Sequence, residues 1–256
     1  MTKKTRRLQA GFTLIELLTV IAIIGILASI IIPTVGNVRK TAQRTVDANS
    51  LREIAKTAQV YATDNGDRLP GTNISATLQP DTSSGATIQS WAGVLARSAG
   101  LNQPSFYFSK NDSNYPAVLP PSIIDIAPSG AAALNAEFSA ATTILAIEVV
   151  GGLRLSDPST CPLAYTRGLK EDGEWDIAAG TYQAEGGHIA FIGGNVVYYK
   201  NLTETENQQV KAKASGAASR TSNIKEALPY RTNRVKIYAT SPAIIGSITG
   251  TDAGVQ

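Results

Sequence analysis

Cysteine and histidine are nearly absent from this 256-residue chain, which has one of each, Cys161 and His188. A single cysteine excludes an intrachain disulfide, and Cys161, between Ser159-Thr160 and Pro162, reads as a small buried or loop residue. One residue of each type leaves little material for a zinc site. The chain also lacks a GxSxG elbow, a Walker phosphate loop and an HExxH pair. No nucleophile–base constellation is visible, so the chain is not read as an enzyme. Charge is missing over the longest stretch of all. From Leu17 to Val38, 22 positions, there is no Asp, Glu, Lys or Arg. A helix of that length, at about 1.5 Å per residue, crosses the roughly 30 Å apolar core of a bilayer.

What charge there is falls unevenly. The whole chain carries +3, but the first eleven residues alone carry +4, from Lys3, Lys4, Arg6 and Arg7. Residues 66–200 have seven basic and twelve acidic residues and are net negative. The seven Lys/Arg after residue 200 are dispersed and little interleaved with aromatics, which argues against a nucleic-acid partner. The basicity therefore belongs mainly to a short leader.

That leader, MTKKTRRLQAG, is followed by FTLIELLTVIAIIGILASIIIPTV. A secretory signal places its small-residue cleavage site after the apolar run. Here Gly11 precedes it, so cleavage after Gly11 strips the basic residues and leaves the apolar helix on the mature chain. The leader's positive charges hold the N-terminus in the cytoplasm, opposed on the far side by Arg39, Lys40 and Arg44. One carboxylate, Glu16, stands where the apolar run begins. A carboxylate in lipid costs on the order of 2–3 kcal/mol at a helix centre and needs a partner. In a first helical turn it also meets the positive end of the helix dipole, so a helix cap at the membrane interface is the plain alternative.

The basic leader, the Gly-Phe-Thr-Leu-Ile-Glu of residues 11–16 and the apolar run after it resemble the N-terminal signature of type IV pilins and type II secretion pseudopilins. The resemblance covers about the first 55 residues. It implies cleavage by a prepilin peptidase between Gly11 and Phe12, followed by N-methylation of Phe12. It also makes Glu16 the assembly carboxylate, paired with the Phe12 ammonium of a neighbouring subunit to set filament register. Gly25 and Pro33 interrupt the apolar helix. Pro33 lacks an amide hydrogen and crowds the Ser29 carbonyl, so a kink is expected near residues 29–33.

The helix is expected to continue beyond the membrane. Leu51, Ile54, Ala55, Ala58, Tyr61 and Ala62 form a one-sided stripe, with Arg44, Asp47, Arg52, Glu53 and Lys56 assigned to the opposite, solvent face. Asn65-Gly66 and Pro70-Gly71 mark its end. This divides the chain into a leader (1–11), an N-terminal helix (12–65; transmembrane about 14–38, amphipathic about 39–63) and a globular part (66–256).

The globular part reads as loop-rich. Trp91–Ala96 suggests a short helix, Phe106-Tyr107-Phe108 a short strand, and Pro116–Pro121 a loop. Residues 142–149 have strand composition, with Glu148 as a satisfied edge residue. HIAFI, Gly193-Gly194 and NVVYYK read as a β-hairpin, the two glycines supplying positive φ, and His188 packs within it. Related sequences carry an Asp-Gly turn here; Gly193 stands where the aspartate would be. Glu171, Asp172, Glu174 and Asp176 cluster around Gly173. They are candidate Ca²⁺ ligands because some major pseudopilins bind that ion, but their spacing fits no EF-hand loop and a solvated acidic loop is the preferred reading. A polar helix is expected over 203–226, a last strand over 234–239, and a frayed SITGTDAGVQ end.

The reading is an α+β, pilin-like chain: one long helix packed on a small antiparallel sheet domain with long loops. The resemblance implies a structural filament subunit without a cofactor. Its partners are copies of itself and other pilin-like subunits, the prepilin peptidase, an inner-membrane assembly platform and, before assembly, the lipid bilayer. The globular part lies in the periplasm of a single-pass inner-membrane protein. A type II secretion pseudopilin is favoured by the missing C-terminal disulfide pair. An extracellular type IV pilin serving adhesion, motility or DNA uptake, or a minor tip subunit acting as a binding module, is the alternative.

Overall fold

The computed structural model describes residues 12–71, 87–203, 209–212, 219–229 and 235–240. The leader with Gly11 and the C-terminal tail lie outside them. The chain divides into two compact units, one ending at Ala42 and one beginning at Gln43.

Helix α1 spans Leu14–Asp64, 51 residues, and is helical through both Gly25 and Pro33. In the first unit its side chains are almost all exposed. The few hydroxyls turn inward to backbone carbonyls: Thr19 to Glu16 at 3.0 Å, Ser29 to Ile26 and Thr34 to Ile31 at 2.7 Å each. Hydroxyls satisfied in this way cost little in an apolar medium. The helix ends where Gly66 enters the left-handed region (φ +61) and the Asp67 amide returns to the Ala62 carbonyl at 2.9 Å.

The second unit opens with the amphipathic half of α1. The expected stripe is the buried face: Leu51, Ile54, Ala55, Ala58 and Ala62 share one core with the sheet. Helix α2 (Ile88–Ala99) begins at a capping box between Thr87 and Ser90 and stops at Gly100. Its Trp91 Nε1 donates to the Pro70 carbonyl at 3.2 Å, tying α2 to the turn after α1. Phe106 and Tyr107 do not form the expected strand. They lie in a 3₁₀ turn, Pro104–Tyr107, started by a proline whose ring fixes φ. The turn lets Tyr107 and Phe108 both meet Phe138 edge-on, at 5.9 and 6.4 Å between centroids. Phe138 sits on a four-residue helix, α3 (Ala136–Ser139), after the small hairpin of β1 (Ile124–Ile126) and β2 (Ala132–Leu134).

The main sheet is antiparallel and five-stranded. It uses β3 (Ile147–Gly151), β4 (Pro162–Thr166), β6 (Gly187–Phe191), β7 (Val196–Tyr199) and β10 (Lys236–Tyr238), in the order β10-β3-β4-β6-β7. Strand β5 (Thr181–Ala184) leads into β6. Pro162 is tolerated in the central strand because it is the first residue and flanks a bulge before Ala164. The expected hairpin is β6–β7, with His188 opposite Tyr198. Of its two glycines only Gly194 needs positive φ (+82); Gly193 does not.

Two expected elements are corrected. The strand over 142–149 begins only at Ile147, because the backbone before it serves other partners. The Ala146 carbonyl accepts from the Arg167 amide and from the Thr181 hydroxyl, and the Leu145 amide goes to Thr240 Oγ1. The polar helix over 203–226 is replaced, among the described residues, by a two-stranded ladder of β8 (Val210–Lys211) and β9 (Arg220–Thr221) and a 3₁₀ turn at Ile224–Ala227. Val210, Ile224, Ala227 and Leu228 all join the core, which local helix propensity alone could not arrange.

Candidate functional site

The first candidate site is the start of α1. Phe12, 85% exposed, precedes Thr13, the residue before the helix. The Thr13 amide and hydroxyl both donate to Glu16 Oε2, at 2.8 and 2.6 Å, and the Glu16 amide faces Thr13 Oγ1 at 3.3 Å. This is a reciprocal capping box. Within one chain, then, Glu16 closes its own helix end, and the expected assembly carboxylate is held in place by a neighbour three residues back. Beyond it the helix is apolar on every side. Leu14, Ile15, Leu17, Leu18, Ile21, Ile24 and the other Leu, Ile and Val side chains through Val38 are exposed. A helix hydrophobic all round belongs in lipid or among other helices. Mean hydropathy here reaches 2.8 over a window long enough to cross a membrane.

The second site was not legible as such. Arg44 and Asp47 were assigned to the solvent face of α1, yet Asp47 is only 6% exposed. Its carboxylate accepts from Ser109 Oγ at 2.5 Å, Tyr182 Oη at 2.7 Å and Gln43 Nε2 at 3.0 Å. Burial raises its pKa, against these three donors. Arg44 pairs with Glu185, and its guanidinium lies 5.3 Å from the centroids of both Tyr182 and Tyr198. His188 stands edge-on between the same two rings, 5.7 and 5.1 Å away. Its Nδ1 is 3.2 Å from Tyr182 Oη. Burial, and then the Arg44 charge, push His188 down to about 4, so it is neutral. The packing role expected for His188 is what the geometry supplies. The missed clue was spacing: 44, 47, 51, 54 and 58 continue one helical stripe.

Other candidates resolve into structure. Glu148, expected at an edge, lies on β3 between β10 and β4 and is fully buried. It faces Tyr165 across the β3–β4 ladder. Neither of its oxygens has a hydrogen-bond partner among the described residues. Burial pushes it up to about 7, while the Tyr165 hydroxyl, the Gly168 amide and the Arg167 charge pull the other way without closing a bond of normal geometry. Arg167 and Asp112 form a buried ion pair, completed by Arg167 donating to the Leu145 and Ala179 carbonyls. Cys161 is buried and its Sγ contacts the Ala227 carbonyl at 3.2 Å.

Three of the four acidic residues of the candidate Ca²⁺ loop serve separate purposes. Asp172 accepts from the Glu174 amide and pairs with Lys170; Asp176 accepts from the Ala178 and Ala179 amides; Glu171 pairs with Lys225. Among the described residues no group of three or more His, Cys, Asp or Glu is placed to hold a metal ion.

Comparison with known proteins bears on the first site. Residues 6–32 match the family model described as the prokaryotic N-terminal methylation motif. The chain carries a prepilin-type N-terminus. The matched span holds the Gly11–Phe12 bond, Glu16 and most of the apolar run. Two curated relatives match part of the chain. The type II secretion system core protein G of Pseudomonas aeruginosa is 42% identical over 60 residues, 23% of this chain and 42% of that protein. The type IV wide pilus major component PilA4 of Thermus thermophilus is 51% identical over 55 residues, 22% of this chain and 42% of that protein. The chain thus spans about two fifths of the length of these curated relatives. No solved structure matches.

Proposed function

We propose that this chain is a non-enzymatic structural subunit of a type IV pilus-like filament, working without a cofactor. The observation that carries the reading is an exposed, all-round apolar helix that begins at a Thr13–Glu16 cap inside a methylation motif. Prepilin peptidase cuts between Gly11 and Phe12 and the new N-terminus is methylated. Before assembly the helix lies in the inner membrane with the leader cytoplasmic and the globular unit periplasmic. On the assembly platform it exchanges lipid for the helices of other pilin-like subunits.

Glu16 of one subunit then meets the Phe12 ammonium of the next. The carboxylate need only exchange two uncharged Thr13 donors for a cationic one, which turns hydrogen bonds from neutral groups into an ion pair. A type II secretion pseudopilin is the finer reading, supported by the single cysteine and by the likeness to core protein G. The likeness to PilA4 supports an extracellular pilus as the second reading.

Intact mass of the protein purified from cells with an active peptidase tests the processing: the expected species begins at N-methyl-Phe12. Retention of residues 1–11 sinks the proposal. Cryo-electron microscopy of sheared surface fibres against periplasmic fractions separates the two machines.

A further inference from the structure

The polar cluster at Arg44 and Asp47 does more than fill space. Hydrophobic anchoring of α1 in its globular unit begins only at Leu51; of the positions before it, Val46 is exposed and the rest are polar or small. Between residues 43 and 50, two polar fastenings to other described residues of that unit stand out. One is Arg44, ion-paired with Glu185 and enclosed by the Tyr182 and Tyr198 rings. The other is Asp47, which takes hydroxyls from Ser109 and Tyr182. The cage is itself braced, since the Tyr198 hydroxyl donates to the Glu185 carbonyl at 2.5 Å and His188 fills the gap between the two rings. Glu185 and Tyr182 flank the turn into β6, so both fastenings end on the hairpin side of the sheet, with Ser109 added from the loop after the 3₁₀ turn.

We infer that the Arg44–Asp47 cluster is a latch that sets where α1 stops being free to unwind and starts being held by its globular unit. With the latch closed the held helix begins at Arg44; with it open it begins at Leu51. Those seven residues correspond to about 10 Å of helix, at about 1.5 Å per residue. The physical reason is selectivity. Aliphatic contacts tolerate sliding, whereas a guanidinium between two rings and a carboxylate with two hydroxyl donors from outside the helix fit in one register only. The latch does not depend on the filament reading. In a filament it would fix how much of the helix can extend while the globular unit stays intact.

Hydrogen exchange followed by mass spectrometry on the full chain in detergent micelles tests this. In the double variant Arg44→Gln/Asp47→Asn, amides of residues 44–50 are expected to exchange about tenfold faster or more, a local opening. Amides of residues 54–62 and of β3, β4 and β6 are expected to be unchanged. Unchanged protection at 44–50 overturns the latch. Faster exchange spread equally over the helix and sheet also overturns it, because the cluster is then a general stabiliser. Arg44→Lys, which keeps the charge but loses the planar stacking, is the milder second variant. It is expected to give a smaller acceleration confined to the same amides, and the same two outcomes overturn the proposal if the double variant does not fold.

Discussion

Asp47 and Tyr182 are 135 residues apart in the chain, yet the tyrosine hydroxyl donates to the carboxylate across 2.7 Å. That bond joins the amphipathic half of the long helix to the strand that leads into the hairpin. Burial first, and the Asp47 charge second, raise the Tyr182 pKa well above the usual phenol range. The consequences of this cluster and of the other buried groups are measurable.

Ser109→Ala removes one of the three Asp47 donors and leaves a buried carboxylate short of a partner. The expected loss is about 1–3 kcal/mol of unfolding free energy, read from thermal or denaturant melts of the full chain in detergent. A change below a few tenths would mean that water replaces the hydroxyl.

Glu148 is ionised with difficulty in the fold. Its pKa rises from 4.5 to about 7, so its contribution to stability is complete below about 4.5 and is lost as pH rises through 7. The loss is on the order of 3 kcal/mol. Glu148→Gln is expected to gain on the native protein progressively from pH 5 to 8, and a constant difference over that range would refute the assignment.

His188 has the opposite sign. Its pKa falls from 6.5 to about 4, so its contribution is complete above 6.5 and is lost as pH falls toward 4. The groups facing it are Tyr182, Tyr198 and Arg44, with Asp47 behind Tyr182. The two trends oppose each other between about 4.5 and 6.5. His188→Gln is therefore expected to convert a nearly level profile in that window into one that falls with pH, visible in melts at half-unit pH steps.

The cap and the proposed assembly role of Glu16 separate genetically. Thr13→Val removes the cap hydroxyl but keeps the carboxylate, at a cost of about 0.5–2 kcal/mol in helix stability, and filaments are expected to form. Glu16→Ala is expected to insert into the membrane and assemble poorly. Equal filament yields from the two variants would reduce Glu16 to a cap.

Gly187→Ala tests the packing under the hairpin. A Cβ there would lie 2.3 Å from both Thr166 Oγ1 and the Trp175 ring. A Cβ at Gly25 meets nothing within 4 Å. The first substitution is expected to cost about 1–3 kcal/mol as an overpacked site and the second almost nothing, in the same melt.

The sequence alone determined the long helix, its apolar and amphipathic halves, the β6–β7 hairpin, the short helix at Trp91 and the motif at residues 6–32. These follow from local facts: an unbroken apolar run, a 3.6-residue stripe, a glycine pair between alternating residues, a basic leader before the apolar helix. What only the tertiary structure decided depends on partners far along the chain. Arg44 and Asp47 look like solvent-face charges until Ser109, Tyr182 and Glu185 arrive to pair them. Glu148 looks like an edge residue until β10, from the far end of the chain, pairs with β3 and buries it. Phe106 and Tyr107 look extended until Phe138 draws the turn inward. A polar side chain is placed by whichever donors reach it, and no periodicity in its own segment records where those donors come from.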